Sequence, residues 1–288
     1  LEGEFLSNDR ELATPPWTSL RALEQASIAF ENDEKGLNEK WLKQLLAPGS
    51  SLGGARPKAS VLATDGSLWI AKFPSKNDDF NSGAWEMVVH ELAVMCGLNV
   101  PEAKAEKFSR LGTTFLVKRF DRIESRRIHF SSAMTMLGKK DGANAADGSS
   151  YLEIVSFLKA NGATPKKDIQ ELWKRIVFSM AVSNTDDHFR NHGFILEEKG
   201  WVLSPMYDVN PDIYGEFLSL NVDEDNSAID FDLAIEAAPY YEISTEQAKK
   251  NVTAIRKTVA DNWRSLAGKY GISRGEIERM CPAFQGDV

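Results

Sequence analysis

Ile169, Leu172, Trp173, Ile176, Val177 and Met180 recur at three- and four-residue intervals, which places them on one face of a helix over residues 168–183. This is the clearest amphipathic period in the chain. It runs without a break into the polar segment Ser183-Asn-Thr-Asp-Asp-His-Phe-Arg-Asn-His-Gly193. A buried helix that delivers a polar loop holds the groups on that loop rigidly, as a catalytic site requires. A second polar cluster, Ser204-Pro-Met-Tyr-Asp-Val-Asn-Pro211, follows the apolar run 194–196 and what reads as a short hairpin.

Asp186 and Asn191 stand five positions apart, and Asp208 comes 17 positions later. Phosphoryl transfer of the kinase type uses three groups in this order. An Asp orients or deprotonates the acceptor hydroxyl, an Asn holds Mg²⁺, and a later Asp bridges metal and phosphates. Taken singly, Asp186, Asp187 and Asn191 read as turn formers, because Asx side chains bond nearby backbone readily. Ordered together around a hairpin they point to a site, provided the rest of the chain supplies contacts to ATP.

The charge balance excludes some other functions. With a formal net charge of −8, the chain is not expected to grip nucleic acid through phosphate neutralisation on its own. Its 42% hydrophobic and 26% charged residues fit a globular protein of one large or two modest domains. No apolar run approaches the roughly 18 to 20 residues that span a bilayer, and the first residues carry no signal-peptide pattern. Two cysteines, Cys96 and Cys281, make no disulfide framework, so a reduced cytoplasmic protein is expected. The chain opens on Leu1 and not on Met, as a sequence numbered from inside a longer product would.

Residues 17–30 and 38–46 read as packing helices. Then comes Gly49-Ser-Ser-Leu-Gly-Gly-Ala-Arg-Pro-Lys58, a glycine- and serine-rich stretch whose backbone can approach phosphate without Cβ interference. It leads into a strand at 59–63, an Asp65-Gly66 turn and a return strand at 68–73. Lys72 sits on that return strand among apolar neighbours. It either points to water from an edge or meets an anion. A helix over 85–95 carries Glu86 in its first turn, as a solvated acid or as a partner for Lys72, with Glu91 as the other candidate. Strands at 105–108 and 113–120 follow, the second placed to serve as a hinge. Residues 121–150 are polar and irregular. Helices are expected at 151–160 and 168–183, and a long one from a Ser244-to-Gln247 capping box through Leu266. The acidic stretch after Pro211 reads as solvated surface.

The order of these parts resembles the HipA-like serine/threonine kinases, the toxin halves of bacterial HipA/HipB modules. The resemblance rests on Ser51-Leu-Gly-Gly-Ala-Arg-Pro-Lys58, Gly97-Leu-Asn-Val-Pro101, Arg119-Phe-Asp-Arg122, Asn184-Thr-Asp-Asp-His188 with Asn191, and Ser204-Pro-Met-Tyr-Asp208, and covers about residues 45 to 270. It implies an α+β, protein-kinase-like two-lobe fold, with a small β-rich lobe over 1–120 and a larger helical lobe over 121–288. It also implies ATP and Mg²⁺ as cofactors. Asp186 would be the catalytic base, and Asn191 and Asp208 would be metal ligands. Gly53, Gly54, Ala55, Arg56, Pro57 and Lys58 would form the phosphate loop, and Lys72, supported by Glu86, would hold the phosphates. The backbone of Lys118, Arg119 and Phe120 would take adenine. His188 and Tyr207 would lie near the nucleotide, and His192 too becomes its neighbour instead of a metal ligand. Ser51, or the adjacent Ser50, falls where the family autophosphorylates. Phosphate there would add about −1.5 to −2 charges to the loop.

The family also implies a small helix-turn-helix antitoxin as partner, DNA contact only through that partner, no membrane, and a protein substrate such as an aminoacyl-tRNA synthetase. The chain departs from the family in two ways. Its portion before the Gly-rich stretch is shorter than in the long members, so an N-terminal subdomain would be missing, truncated or supplied by another chain. Lys118 stands where glutamate is frequent. Three alternatives stay open: an aminoglycoside-kinase-like phosphotransferase of small molecules, a non-catalytic partner of a DNA-binding antitoxin, and a hydrolase that gathers Asp186, Asp187, His188 and His192 around a metal.

Overall fold

The computed structural model describes residues 14–32, 45, 56–123 and 126–284. Gly53, Gly54 and Ala55, the two serines Ser50 and Ser51, and all but Leu45 of the expected helix at 38–46 lie outside the described residues. The chain divides into two compact units, Leu1–Met87 with Pro101–Arg127, and Val88–Val100 with Ile128–Val288.

The first unit is built on an antiparallel sheet in the order β1 (Lys58–Leu62), β2 (Leu68–Lys72), β4 (Thr114–Lys118), β3 (Ala103–Glu106). Asp65-Gly66 makes the β1–β2 turn: Gly66 has φ +82°, and Asp65 Oδ1 accepts from the Ser67 N–H at 2.9 Å. Alternation along the strands gives the sheet two different faces. Ala59, Val61, Trp69, Ala71 and Leu116 share one face and bury against Leu20, Leu23 and Ala26 of helix α1 (Leu20–Glu31). The larger of these, such as Val61, Leu116, Leu20 and Leu23, each contribute about 1.5–3 kcal/mol on removal from water. The other face carries Lys58, Ile70, Lys72 and Phe115, with Lys58 directly opposite Lys72 and Lys72 opposite Phe115.

Helix α2 (Ser82–Met95) begins three residues before the expected Trp85, with Gly83 in its first turn packed against the backbone of Thr113 and Phe115. A Cβ at Gly83 would lie 2.0 Å from the Thr113 carbonyl oxygen, a backbone atom that cannot step aside. Gly83→Ala is therefore expected to cost about 1–3 kcal/mol, read as a lowered urea midpoint at unchanged m-value. Gly97, at φ +73°, ends the helix, with the Leu98 N–H bonded to Ala93 O. Burial pushes the Cys96 thiol up to about 12, so this cysteine stays protonated.

The second unit is mostly helical. Short α3 (Ala133–Met136) precedes α4 (Tyr151–Asn161), which Ser150 and Glu153 close with a capping box. Helix α5 (Pro165–Ala181) starts on proline at its first turn and buries Ile169, Leu172, Trp173, Ile176, Val177 and Met180. The Trp173 indole N–H donates to Ala234 O at 2.8 Å, tying α5 to α6 (Phe231–Ala237). The long helix α7 (Thr245–Lys269) opens on Ser244, whose Oγ accepts from the Gln247 N–H, and α8 (Arg274–Met280) follows it. A three-stranded sheet orders β7 (Phe130–Ser132), β8 (Gly193–Glu197) and β9 (Gly200–Leu203). The two-residue strands β5 (Arg122–Ile123) and β6 (Arg126–Arg127) belong to the first unit. Among the described residues, no helix is long and apolar enough to cross a membrane.

Glu91, on the part of α2 in the second unit, meets Lys269 Nζ at 2.7 Å and the Tyr270 hydroxyl. Burial alone would raise its carboxyl, but those hydrogen bonds and the Lys269 charge outweigh burial and hold it below the ordinary glutamate range. Its folded-state value is depressed, so its contribution is fully present above the unfolded value and is lost as pH falls through the folded one. Glu91→Gln is expected to lower stability by up to about 1 kcal/mol at pH 7, since Lys269 is well exposed to solvent screening. The difference from the unsubstituted chain should shrink towards pH 3 in urea titrations.

Candidate active site

In the first unit, Lys72 Nζ lies 2.5 Å from Glu86 Oε1, and their side chains are 12% and 5% exposed. Glu86 is therefore a buried partner of Lys72 and not a solvated first-turn acid. It stands in the second turn of α2, where the helix dipole acts on it little. Glu91 is committed elsewhere. Lys58 brings a second ammonium directly across from Lys72, and like charges at opposed strand positions repel. That face of the sheet is thus set up for an anion.

Arg56 makes an ion pair with Asp78 at 2.7 Å, and Pro57 O accepts from the Phe73 N–H, so the end of the Gly-rich stretch is tied back to the sheet. The proposed hinge is partly committed. The N–H groups of Lys118 and Arg119 donate to Glu102 O and Leu68 O, both at 2.8 Å, which leaves neither of those two donors for a nucleotide. The Lys118 side chain shares the Trp69 face, away from Lys72, and lies 3.4 Å from Glu102. Arg119 grips Asp121 with two parallel bonds, Nε at 2.8 Å and Nη2 at 2.7 Å, and Arg122 closes on the same carboxylate. This explains the Arg-Phe-Asp-Arg motif structurally, around Phe120.

In the second unit, α5 gives way at Ala181 to a loop whose residue Ser183 has a left-handed φ of +49°. Asn184 pins the turn, donating to Ser179 Oγ and accepting from the Asn210 N–H. The two aspartates that follow then diverge. The Asp186 side chain is 84% exposed and that of Asp187 is 3% exposed. Asp187 accepts from the Tyr151 hydroxyl at 2.9 Å and the Ser179 hydroxyl at 3.3 Å, with His192 Nε2 at 2.9 Å. Burial would raise the Asp187 carboxyl, but the adjacent His192 and these hydrogen bonds hold it below the usual range. Asp187 and His192 are thus inside the protein, holding the loop, and His192 is closed off from any nucleotide in solvent.

Asp186 faces outward. Desolvation by the crowded loop is the largest influence raising its carboxyl; His188, whose Nε2 is 3.6 Å away, opposes the rise, and Asp208 adds to it. With so exposed a side chain, solvent screens much of this. Asn191, itself buried, donates its Nδ2 to Asp186 O at 2.7 Å, which fixes the orientation of its amide. Asp208 adopts φ +58°, in the left-handed region where a non-glycine residue is strained, and Asn210 Nδ2 approaches its Oδ1 at 3.4 Å. The Tyr207 hydroxyl donates to Arg190 O at 2.7 Å; burial and then Asp208 raise it well above an ordinary phenol. Among the described residues, no three His, Cys, Asp or Glu gather as a metal cluster.

A further network was not foreseen from sequence. Met206, two residues before Asp208, donates its N–H to Asn99 O at 2.8 Å. Glu171 Oε1 accepts from both the Asn99 N–H and Arg175 Nε, each at 3.0 Å. Arg175 is 1% exposed, a guanidinium on the buried side of α5. That position was the available signal, since a charge inside an apolar face needs a buried partner.

The family model of the HipA-like C-terminal domain matches residues 50–263. The protein named "Putative kinase Y4mE" of Sinorhizobium fredii is 28% identical over 255 residues, which cover 80% of this chain and 53% of that protein. A "Putative kinase" of Haemophilus influenzae is 26% identical over 182 residues, covering 56% and 52%. The chain thus spans about half the length of these curated relatives. Among solved structures, the complex of Shewanella oneidensis HipA and HipB with operator DNA matches with a TM-score of 0.68 at 18% identity, over 86% of this chain and 68% of the matched one. That likeness establishes the fold, α+β with a small antiparallel sheet and a larger helical part. A family model that covers most of the chain establishes the family as well: the chain belongs to the HipA-like C-terminal domain family.

Proposed function

We propose that this chain is an ATP- and Mg²⁺-dependent serine/threonine protein kinase of the HipA type. The observation that carries the reading is the Lys72–Glu86 ion pair, nearly buried on the one face of the sheet that also bears Lys58. A lysine held by a helix carboxylate in this way meets the α/β-phosphates of ATP in kinases. Arg56, Pro57 and Lys58 continue the Gly-rich stretch that would cover the phosphates, with Gly53, Gly54 and Ala55. The adenine contact falls to the hinge carbonyls and Phe120, since the Lys118 and Arg119 N–H groups are spent in the sheet.

The donors suit Mg²⁺. Asn191 Oδ1 and the Asp208 carboxylate are hard oxygens, and two protein oxygens are what Mg²⁺ takes when water and phosphate complete its shell. Bound there, the ion would neutralise phosphate charge during transfer. Asp186 would accept the proton of the acceptor hydroxyl as that oxygen bonds to the γ-phosphorus; the bond from phosphorus to the β,γ-bridging oxygen breaks and ADP leaves with its electron pair. His188 and Tyr207 line the loop beside it.

Autophosphorylation of Ser51, or of Ser50, would regulate the loop, and a small helix-turn-helix antitoxin would be the partner through which DNA is reached. Incubation with γ-labelled ATP and whole lysate tests the reading. Label in a protein band is expected; label appearing only in small metabolites would replace it with a small-molecule phosphotransferase.

A further inference from the structure

Between Gly200 and Ala248 the sequence contains no Lys, Arg or His, while acids recur throughout. Part of this stretch folds back on itself in the second unit. Leu218 N–H donates to Ser227 O at 2.7 Å and Ile229 N–H to Glu216 O at 3.1 Å, and the Asp223 carboxylate ties off the tip by accepting from Asn226 N–H. Beside it, the turn at Ala145 is stitched on through its N–H to Ser219 O at 2.7 Å. Between them opens a shallow cleft of about 390 Å³, walled by Ala145, Ala146, Phe217, Leu218, Asn221 and Asp225. Phe217 is 58% exposed and Tyr214 is 83% exposed, both aromatic surfaces left uncovered in an acidic setting.

The cleft is coupled to the catalytic loop through Thr185, the residue before Asp186. Thr185 Oγ1 donates to Asp212 Oδ2 at 2.8 Å, and Thr185 O accepts from Ser219 Oγ at 2.7 Å. Gly215 packs so closely that a Cβ there would stand 2.1 Å from Thr185 Cγ2. The wall of the cleft at Ser219 is thus bonded to the residue that precedes Asp186 in the chain.

We infer that the cleft between residues 144–146 and 217–227 docks an extended polypeptide segment carrying Lys or Arg next to an apolar side chain. The apolar side chain would sit on Phe217, and the basic ones would face Glu216 and Asp225. The 212–232 side of the cleft holds acids and no cation, and Lys139 near the other side is already paired with Glu153 at 2.8 Å; rim charge of this sign favours cationic ligands and sets both specificity and on-rate. Naming the segment as the one that presents the acceptor hydroxyl rests on the kinase reading above; the docking itself does not.

The test measures binding of fluorescent synthetic peptides to the full chain. One peptide pool flanks Ser or Thr with Lys and Arg beside a Leu or Phe, and the other substitutes Asp and Glu. The basic pool is expected to bind at least about tenfold more tightly at low salt. That preference should vanish in the double variant Glu216→Lys/Asp225→Lys at an unchanged melting temperature. Equal affinity for both pools, or a preference that survives charge reversal, would overturn the inference. Should the double variant fail to fold, added salt gives the second readout: the preference must weaken as salt rises, and a salt-independent preference overturns it too. Self-association that charge reversal abolishes, without peptide binding, would assign the face to a second copy and also overturn it. Basic peptides that bind yet never receive phosphate from ATP would leave the docking surface standing and contradict the kinase reading instead.

Discussion

Asp186→Asn is expected to lower phosphoryl transfer by about 10²–10⁴-fold, the range for loss of a general base, while melting stays within about 0.5 kcal/mol of the unsubstituted chain. The stability half follows from exposure: an 84% exposed side chain whose nearest ring nitrogen, His188 Nε2, is 3.6 Å away holds little of the fold together. The adjacent Asp187→Asn should behave in the opposite way. Asp187 is buried, with Tyr151, Ser179 and His192 around one carboxylate, so an amide in its place leaves donors facing a donor. About 1–3 kcal/mol of stability should be lost, with any loss of transfer tracking the unfolded fraction. Parallel thermal melts and ATP-dependent labelling of the two variants separate these outcomes. If Asp187→Asn loses transfer while keeping its stability, and Asp186→Asn keeps transfer, the assignment of the two aspartates is reversed.

The second large effect concerns stability alone. Glu171→Ala should destabilise the chain by about 3 kcal/mol, the cost of leaving a buried charge without its partner. Burial already pulls the Arg175 guanidinium down, and Glu171, with more distant Asp187 and Asp168, pulls it back. Removing Glu171 also takes the acceptor from the Asn99 N–H, whose residue holds Met206 in place ahead of Asp208. Arg175→Met should cost less, because the partly exposed Glu171 that remains can turn to water. Urea titrations of the two variants test this ordering. A Glu171→Ala loss below that of Arg175→Met would show that the guanidinium does not depend on this pair.

Periodicity carried much of the fold. The six apolar residues of α5, the Asp65-Gly66 turn and the Ser244 cap each stand where local chemistry puts them. The strand position of Lys72 among apolar residues marks it as either solvent-facing or anion-meeting, with Glu86 and Glu91 both open as partners, and the folded chain makes the pair with Glu86 across 14 residues. Less legible were interactions that depend on what a turn does in three dimensions. The sequence offers Asp186 and Asp187 as neighbours, and only the left-handed turn at Ser183 sends one outward and the other in. The start of α2 is hidden by Ser82 and Gly83, poor helix formers; glycine serves at 83 because the backbone of Thr113 and Phe115 leaves no room for a side chain. The Asn99–Glu171–Arg175 network joins residues 72 positions apart, beyond the reach of local pattern.

Kinase activity is the central claim, and mass spectrometry of the purified full chain after incubation with ATP and Mg²⁺ tests it most directly. The expected spectrum shows one added phosphoryl group on a peptide containing Ser50 and Ser51, with ADP released, and neither in Asp186→Asn. An unmodified chain that releases no ADP and labels no protein in lysate would contradict it.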